Sequence, residues 1–411
     1  MFKRTAIFLL LILFSYCNRN STQISSPPPK FRLGDEVMTS GSMDNLKDKN
    51  VAVLTNQTGI LSDGTHLIDV LVSKGIKVVK IFSPEHGIRG DDAPVSQDVD
   101  EKTGIPVVSL YGSKVKPSNQ DLADVDVIIY DIQDVGARFY TYTSTLYYAI
   151  HSAVENNKSI IICDRPVMIN PDYVDGFMLD DNFSSFVGKI PAPVCYGMTC
   201  GELANYLNST VFSSSQNVQI IKMENYPRSS TYDNLNIKWV KPSPNIYYRS
   251  SAICYPATCF LEGTNVSEGR GTDKPFEYCG APWCNGDEFA AELNSMGLMG
   301  VNFEPVTFTP SEKVSAYPPK FMNKQCSGVF IHVTDANKFE PVKTGVAVLA
   351  ALNKIFREFK FNKDNYIDKL AGTNKLRKMI LNGDDYNTIV NSWKDEIEQF
   401  KTEREKFLLY Q

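Results

Sequence analysis

Histidine is scarce in this chain. Four histidines in 411 residues include no His-x-x-x-His pair, the helix-borne ligand set of many zinc hydrolases. No Gly-x-Gly-x-x-Gly follows any apolar run, which argues against a dinucleotide cofactor. The Gly-rich stretch from Thr264 to Phe276 lacks the lysine and the spacing of a P-loop. Cys254 and Cys259, like Cys279 and Cys284, stand too far apart for the two-residue separation of a zinc ribbon. Neither a metal nor a cofactor is called for. An excess of positive charge is also missing: 42 Lys and Arg against 47 Asp and Glu give a net charge of −5. The basic residues are spread along the chain, so nucleic acid is not an expected partner.

What is present describes an exported globular protein. A 43% hydrophobic and 22% charged composition can bury a large core, and the length suggests two domains. Lys3 and Arg4 precede an apolar run, Ala6 to Phe14, too short to span a bilayer but suited to a secretory signal. Phe14-Ser15-Tyr16-Cys17 resembles a lipobox, so residues 1–17 are expected to act as a lipoprotein signal peptide with Cys17 carrying the membrane anchor. Tyr16 is bulkier than the residue usual there, and cleavage as a plain signal is the alternative. Residues 18–44, polar and Pro-rich at their start, are expected to form a flexible tether. The protein is then periplasmic or an outer-membrane lipoprotein. Eight further cysteines fit either disulfides in an oxidising compartment or buried free thiols.

From Val51 onward, apolar β-branched runs end in polar loops and lead into helix-like segments. "VAVLT" (51–55), "KVVKIF" (77–82), "VDVIIYDIQ" (125–133) and "SIIIC" (159–163) carry this pattern, which predicts a parallel sheet covered on both faces. The fold class is α/β: a Rossmann-like domain over 45–240 and a smaller α+β domain over 241–411, with the active site in the cleft between them. "SGVFIHVTD" and "GVAVLAALNKIFREF" read as a strand and a helix of the second domain, and the last forty residues as amphipathic surface helices. In an open parallel sheet, ligands bind beyond the carboxyl ends of the strands. The loops there carry Asn56 and Gln57, then Glu85 and His86, then Asp131, Asp134 and Arg138, then Asp164 and Arg165, all candidate binding or catalytic residues.

Three stretches carry the chemistry. "SPEHG" places Glu85 and His86 in a glycine-bracketed turn. "DIQDVGARFYTYTSTLYYA" adds Tyr140, Tyr142, Tyr147 and Tyr148, rings with hydroxyl handles that suit a sugar. "TNVSEGRGTDKPF" places Glu268, Arg270 and Asp273 between glycines. "PSPN" (242–245) reads as a rigid turn and hinge, and Thr199 with Glu202 as a helix-capping box. Glycoside hydrolysis needs two carboxyl groups flanking the scissile bond. Glu85 is the candidate acid, tuned by His86 or by an aspartate from a neighbouring loop, with Glu268, Asp131 or Asp134 as the second carboxylate. Two other readings use the same residues: a glycan-binding lipoprotein without turnover, and a metal-dependent hydrolase with His86, Glu85, Asp91 and Asp131 as ligands.

Taken together, "SPEHG" (83–87), "DIQDVGARFYTY" (131–142), "DRP" (164–166), "MTCGELA" (198–204), "PSPN" and "SEGRGT" (267–272) resemble the exo-β-N-acetylmuramidases of the NamZ type, over nearly the whole chain beyond residue 50. The resemblance implies release of terminal N-acetylmuramic acid from the non-reducing end of peptidoglycan fragments, with Glu85 as the carried-over catalytic position and Glu268 a second. It also implies a cation for the lactyl carboxylate: Arg89, Arg138, Arg165 or Arg270, with Arg138 and Arg270 ranked first. "VMINPDYVDG" (167–176) and Val194-Cys195-Tyr196 depart from the family pattern, which bears on substrate detail more than on the reaction.

Overall fold

The apolar runs become the middle of one sheet. β1 (Val51–Thr55), β2 (Val78–Ser83), β3 (Val107–Ser109), β4 (Val127–Asp131), β5 (Ser159–Cys163) and β6 (Val218–Ile221) lie in the order β3-β2-β1-β4-β5-β6, all parallel. The computed structural model describes residues 30–90, 98–213, 216–312 and 318–411; Cys17, the leader before it, Asp91 and the start of the expected tether lie outside these. The chain divides into a unit Met1–Lys30 and a unit Phe31–Gln411. β1 and β4 bury every residue. Alternate side chains feed two cores, Ala52, Leu54, Ile128 and Tyr130 on one face and Val51, Val53, Val127 and Ile129 on the other, as a pleated strand requires. Helices α1 (Gly34–Ser40) and α2 (Leu67–Ser73) contribute to the second core, α3 (Thr141–Glu155) and α4 (Cys200–Thr210) to the first. The capping box expected at Thr199 and Glu202 opens α4.

The second half is built on α5 (Arg249–Thr258), β7 (Tyr278–Ala281), α6 (Gly286–Ser295), β8 (Val301–Phe308), β9 (Cys326–Val333), α7 (Pro341–Ile355) and α8 (Tyr366–Ala371). Its three strands are antiparallel in the order β7-β9-β8. The strand expected over "SGVFIHVTD" is β9. The following helix starts earlier than its apolar run, at Pro341, because proline's missing N–H costs nothing in the first turn. The C-terminal helices α9 (Lys375–Asn382), α10 (Tyr386–Asn391) and α11 (Lys394–Arg404) do more than cover surface. After α11 the chain returns to the parallel-sheet half, where Tyr410 donates to Asp164 Oδ2 at 2.6 Å and Leu409 N donates to Glu202 Oε1 at 2.9 Å. All eight cysteines beyond Cys17 are free, buried thiols.

Several strand-end residues expected in a binding site are instead buried in the frame. The tether ends earlier than residue 44: Leu33, Asp35 and Leu46 are buried, and Gly34 sits where a Cβ would come within 2.4 Å of the Asp164 backbone nitrogen. Arg165 donates to Asp131 Oδ1 at 2.6 Å and to Asp35 Oδ2 at 2.7 Å, beside the point where Thr55 of β1 faces Asp131 of β4. Asp131 and Arg165 therefore close the switch point of the sheet rather than meet a ligand. Asp164 accepts from Arg165 N, Gly201 N, Thr199 and Tyr410; burial pushes its carboxyl up to about 6. Asp134 accepts from Val135 N and from the Tyr196 hydroxyl, and burial likewise raises it to about 6. Arg138 is fully buried and donates to three carbonyls, of Phe177 at 2.8 Å, Ala192 at 2.6 Å and Leu370 at 3.2 Å. It binds the two halves together and has no surface to offer a substrate carboxylate. Asn56 closes a local turn, its Oδ1 accepting from Thr58 N at 2.9 Å.

Two outcomes follow. Arg165→Met removes the guanidinium that Asp35 and Asp131 share in the buried frame and lowers unfolding free energy by about 3–5 kcal/mol in urea titration. Asp134 has a folded pKa of about 6 against an ordinary 3.8, so the stability it contributes is complete below pH 4 and falls as pH rises through about 6. The advantage of the unmodified chain over Asp134→Asn should therefore shrink across that window, by up to about 3 kcal/mol, in chemical denaturation at a series of pH values.

Candidate active site

β2 ends at Ser83 because Pro84 cannot extend the ladder. The chain then reverses through His86 at φ +74° and Gly87 at φ +81°, left-handed backbone that histidine tolerates better than most side chains. This turn presents Glu85 and His86 toward the start of α3. Thr141 Oγ1 donates to Glu85 Oε2 at 3.0 Å, and the Tyr142 hydroxyl donates to the Glu85 backbone carbonyl at 3.1 Å. His86 Nε2 lies 3.6 Å from Glu85 Oε1 and 3.4 Å from Ser243 Oγ. "PSPN" is thus part of the site wall: Tyr140 donates to the Pro242 carbonyl at 2.9 Å, and the Tyr142 proton is shared between that carbonyl, at 3.1 Å, and the Glu85 carbonyl.

The facing wall comes from the second half. α5 runs into a 3-10 turn, Cys259–Gly263, which carries a single acid, Glu262. Arg270 Nη2 pairs with Glu262 Oε1 at 2.5 Å, and its Nη1 reaches Glu268 Oε1 at 3.5 Å. The Arg270 guanidinium lies over the Phe276 ring, 5.2 Å from the centroid. Lys320 closes the far side of the cluster, 3.2 Å from Glu268 Oε2, while donating to the carbonyls of Leu261 and Val266. These surroundings set the two acids apart. Burial raises the Glu262 carboxyl and Arg270 only partly opposes it. Burial also pushes Glu268 upward, but Lys320 and Arg270 outweigh it and leave that carboxyl below its ordinary value. Carboxyl pairs with diverging proton affinities mark acid–base sites.

Glu85, His86, Tyr140, Tyr142, Glu262 and Arg270 line one cavity of about 230 Å³ between the halves. Tyr366 joins them, its half-buried phenol raised by desolvation, then by Glu262, and further by Glu85. Of the residues expected from sequence, Glu85, His86, Tyr140, Tyr142 and Arg270 meet here. Glu268 stands behind Arg270, and Gln57 reaches across to the Lys241 carbonyl at 2.9 Å. Asn56, Asp131, Asp134, Arg138, Asp164 and Arg165 do not line the cavity. Arg89 is held by Asp69 and Asp100. The metal reading loses Asp131, which is tied to Arg165, and Asp91 lies outside the described residues. Glu262, Ser243 and Tyr366 were missed. Glu262 had a sequence signal, a lone acid inside the apolar "ICYPATCFLEG", where an unpaired charge would be costly.

Comparison with known proteins covers both halves that form this cavity. Residues 51–250 match the family model described as exo-beta-N-acetylmuramidase NamZ, N-terminal, and residues 253–410 the corresponding C-terminal model. The peptidoglycan beta-N-acetylmuramidase NamZ of Bacillus subtilis (strain 168) is 39% identical over 396 residues, 95% of this chain and 94% of that protein. Two crystal structures of DUF1343 family proteins from Bacteroides fragilis NCTC 9343 superpose on it. One has a TM-score of 0.86 at 31% identity, covering 94% of this chain and all of the other; the second has 0.75 at 34%, covering 93% and 99%. With both halves matched in order along one chain, the protein belongs to the NamZ exo-β-N-acetylmuramidase family.

Proposed function

We propose that the chain is an exo-acting glycoside hydrolase that removes terminal N-acetylmuramic acid from the non-reducing end of peptidoglycan fragments. The observation that carries this reading is the meeting of Glu85 and Glu262, from opposite halves, in one cavity the size of a substituted sugar. The activity printed for the B. subtilis relative supports the substrate class. Glu85 is the acid at the glycosidic oxygen. Thr141 orients its carboxyl and Tyr142 fixes its backbone, so the proton is delivered from one direction. Glu262 supplies the second carboxyl in place of Glu268, which Arg270 and Lys320 hold behind the wall. Arg270 steadies Glu262 and is the cavity's guanidinium for the lactyl carboxylate. Tyr140 and Tyr142 give the ring its aromatic floor.

The reading extends to location. The basic start, short apolar run and Cys17 support export with a lipid anchor in the periplasm or on the outer membrane.

A chromogenic muramic acid glycoside tests the chemistry. Glu85→Gln should lower kcat by about 10²–10⁴-fold and Glu262→Gln by at least about 10²-fold, while Glu268→Gln costs about tenfold. Turnover should be unchanged by a chelator. Binding without hydrolysis in the unmodified chain would make it a glycan-binding protein, and chelator sensitivity would restore the metal reading. For the anchor, labelled fatty acid should enter the full chain and be lost in Cys17→Ser; no incorporation into either would identify a plain signal peptide.

A further inference from the structure

The sugar cavity has a neighbour across His86. His86 and Ser243 also line a second chamber of about 410 Å³, so the Glu85-His86 turn stands at the divide between two spaces that share these wall residues. Their chemistry differs. The first holds two carboxyls, Glu85 and Glu262. Among the described residues no Asp or Glu lines the second, and the ionisable groups there besides His86 are Arg89, Lys238 and Lys241. Arg89 is neutralised by Asp69 and Asp100. Lys238 and Lys241 are exposed, and neither forms an ion pair among the described residues. Lys241 instead rests over the Tyr247 ring, 5.4 Å from its centroid.

Between the two lysines stands Trp239. Its indole N–H donates to the Tyr247 carbonyl at 2.9 Å, and its ring meets the Tyr232 ring edge to face, 6.0 Å apart. Two anchors fix the plane of a half-buried indole in the chamber wall, an arrangement suited to stacking against a sugar face. Gln57 bonds to the Lys241 carbonyl and so ties this segment to the end of β1.

We propose that the second chamber is the leaving-group subsite, where Trp239 packs against the sugar next to the scissile bond and Lys238 and Lys241 receive an anionic group farther along the same glycan. This rests on the glycosidase reading above and adds to it the class of leaving group: an oligosaccharide bearing carboxylates, from lactyl groups or attached peptide. Position and charge both carry it. A proton donor at the divide lies beside the bond joining the occupants of the two chambers. Two exposed lysines with no ion-pair partner among the described residues raise the local concentration of an anionic chain and hold it once bound.

The test compares two substrates with the full chain: a muramic acid glycoside with an uncharged aryl leaving group, and a peptidoglycan-derived tetrasaccharide with a carboxylate in its leaving portion. The ratio of kcat/KM, tetrasaccharide over aryl glycoside, should fall about five- to tenfold in Lys238→Ala/Lys241→Ala, mostly through KM, and its salt dependence should flatten. Lys238→Arg/Lys241→Arg should restore it. Trp239→Ala should lower the same ratio without flattening the salt response. A ratio within about twofold of the unmodified chain in both the lysine and tryptophan variants, with hydrolysis intact, overturns the subsite. No turnover of either substrate by the unmodified chain overturns the glycosidase reading, and the subsite with it.

Discussion

A buried guanidinium organises the sheet. Arg165, two residues beyond β5, lies between Asp131 at the end of β4 and Asp35 from α1. Removing a guanidinium and two carboxyl groups from water is expensive, and only close pairing makes it tolerable. Here that pairing fills the switch point between β1 and β4, where a doubly wound sheet ordinarily opens a crevice for a nucleotide. With that crevice closed, the binding space moves outward, to the loop after β2 and the start of α3, where the second half can face it. The missing glycine fingerprint and the displaced cavity are two aspects of one arrangement.

Within the cavity, the halves contribute differently. The parallel-sheet half supplies a strained turn held from two sides by neighbours on α3, so Glu85 is fixed in position. The second half supplies a charge cluster, Glu262-Arg270-Glu268-Lys320, in which position and proton affinity are set together. Arg138 connects them, its guanidinium shared between carbonyls of both halves. The wall that carries Leu370 and Tyr366 is therefore braced from behind by a residue that never touches the site.

Legibility in the sequence followed the range of the interactions. The strands over 51–55 and 159–163 were visible because burial on both faces needs nothing beyond an unbroken apolar run. Glu85 and His86 were visible because a proline, a glycine and a strand end are local signals. Asp131, Arg138, Asp164 and Arg165 were misread for the opposite reason: each looks like a ligand-binding residue until its partner arrives from more than thirty residues away, Asp35 for Arg165 or Tyr410 for Asp164. Asp35 itself lay in a segment read as tether. Glu262 was overlooked because its role depends on Arg270 and on the opposite wall, neither of which shows in the apolar stretch around it.

Both ends of the folded unit finish at the same place. Gly34 N donates to the Asp164 carbonyl at 3.0 Å, and Tyr410, next to last in the chain, donates to the Asp164 side chain. One residue just beyond β5 therefore ties together two stretches that the whole fold separates. The parallel-sheet half does not close on its own residues. Cut away from the second half, it would lose Leu409 and Tyr410, and with them the seal on the carboxyl edge of its central sheet.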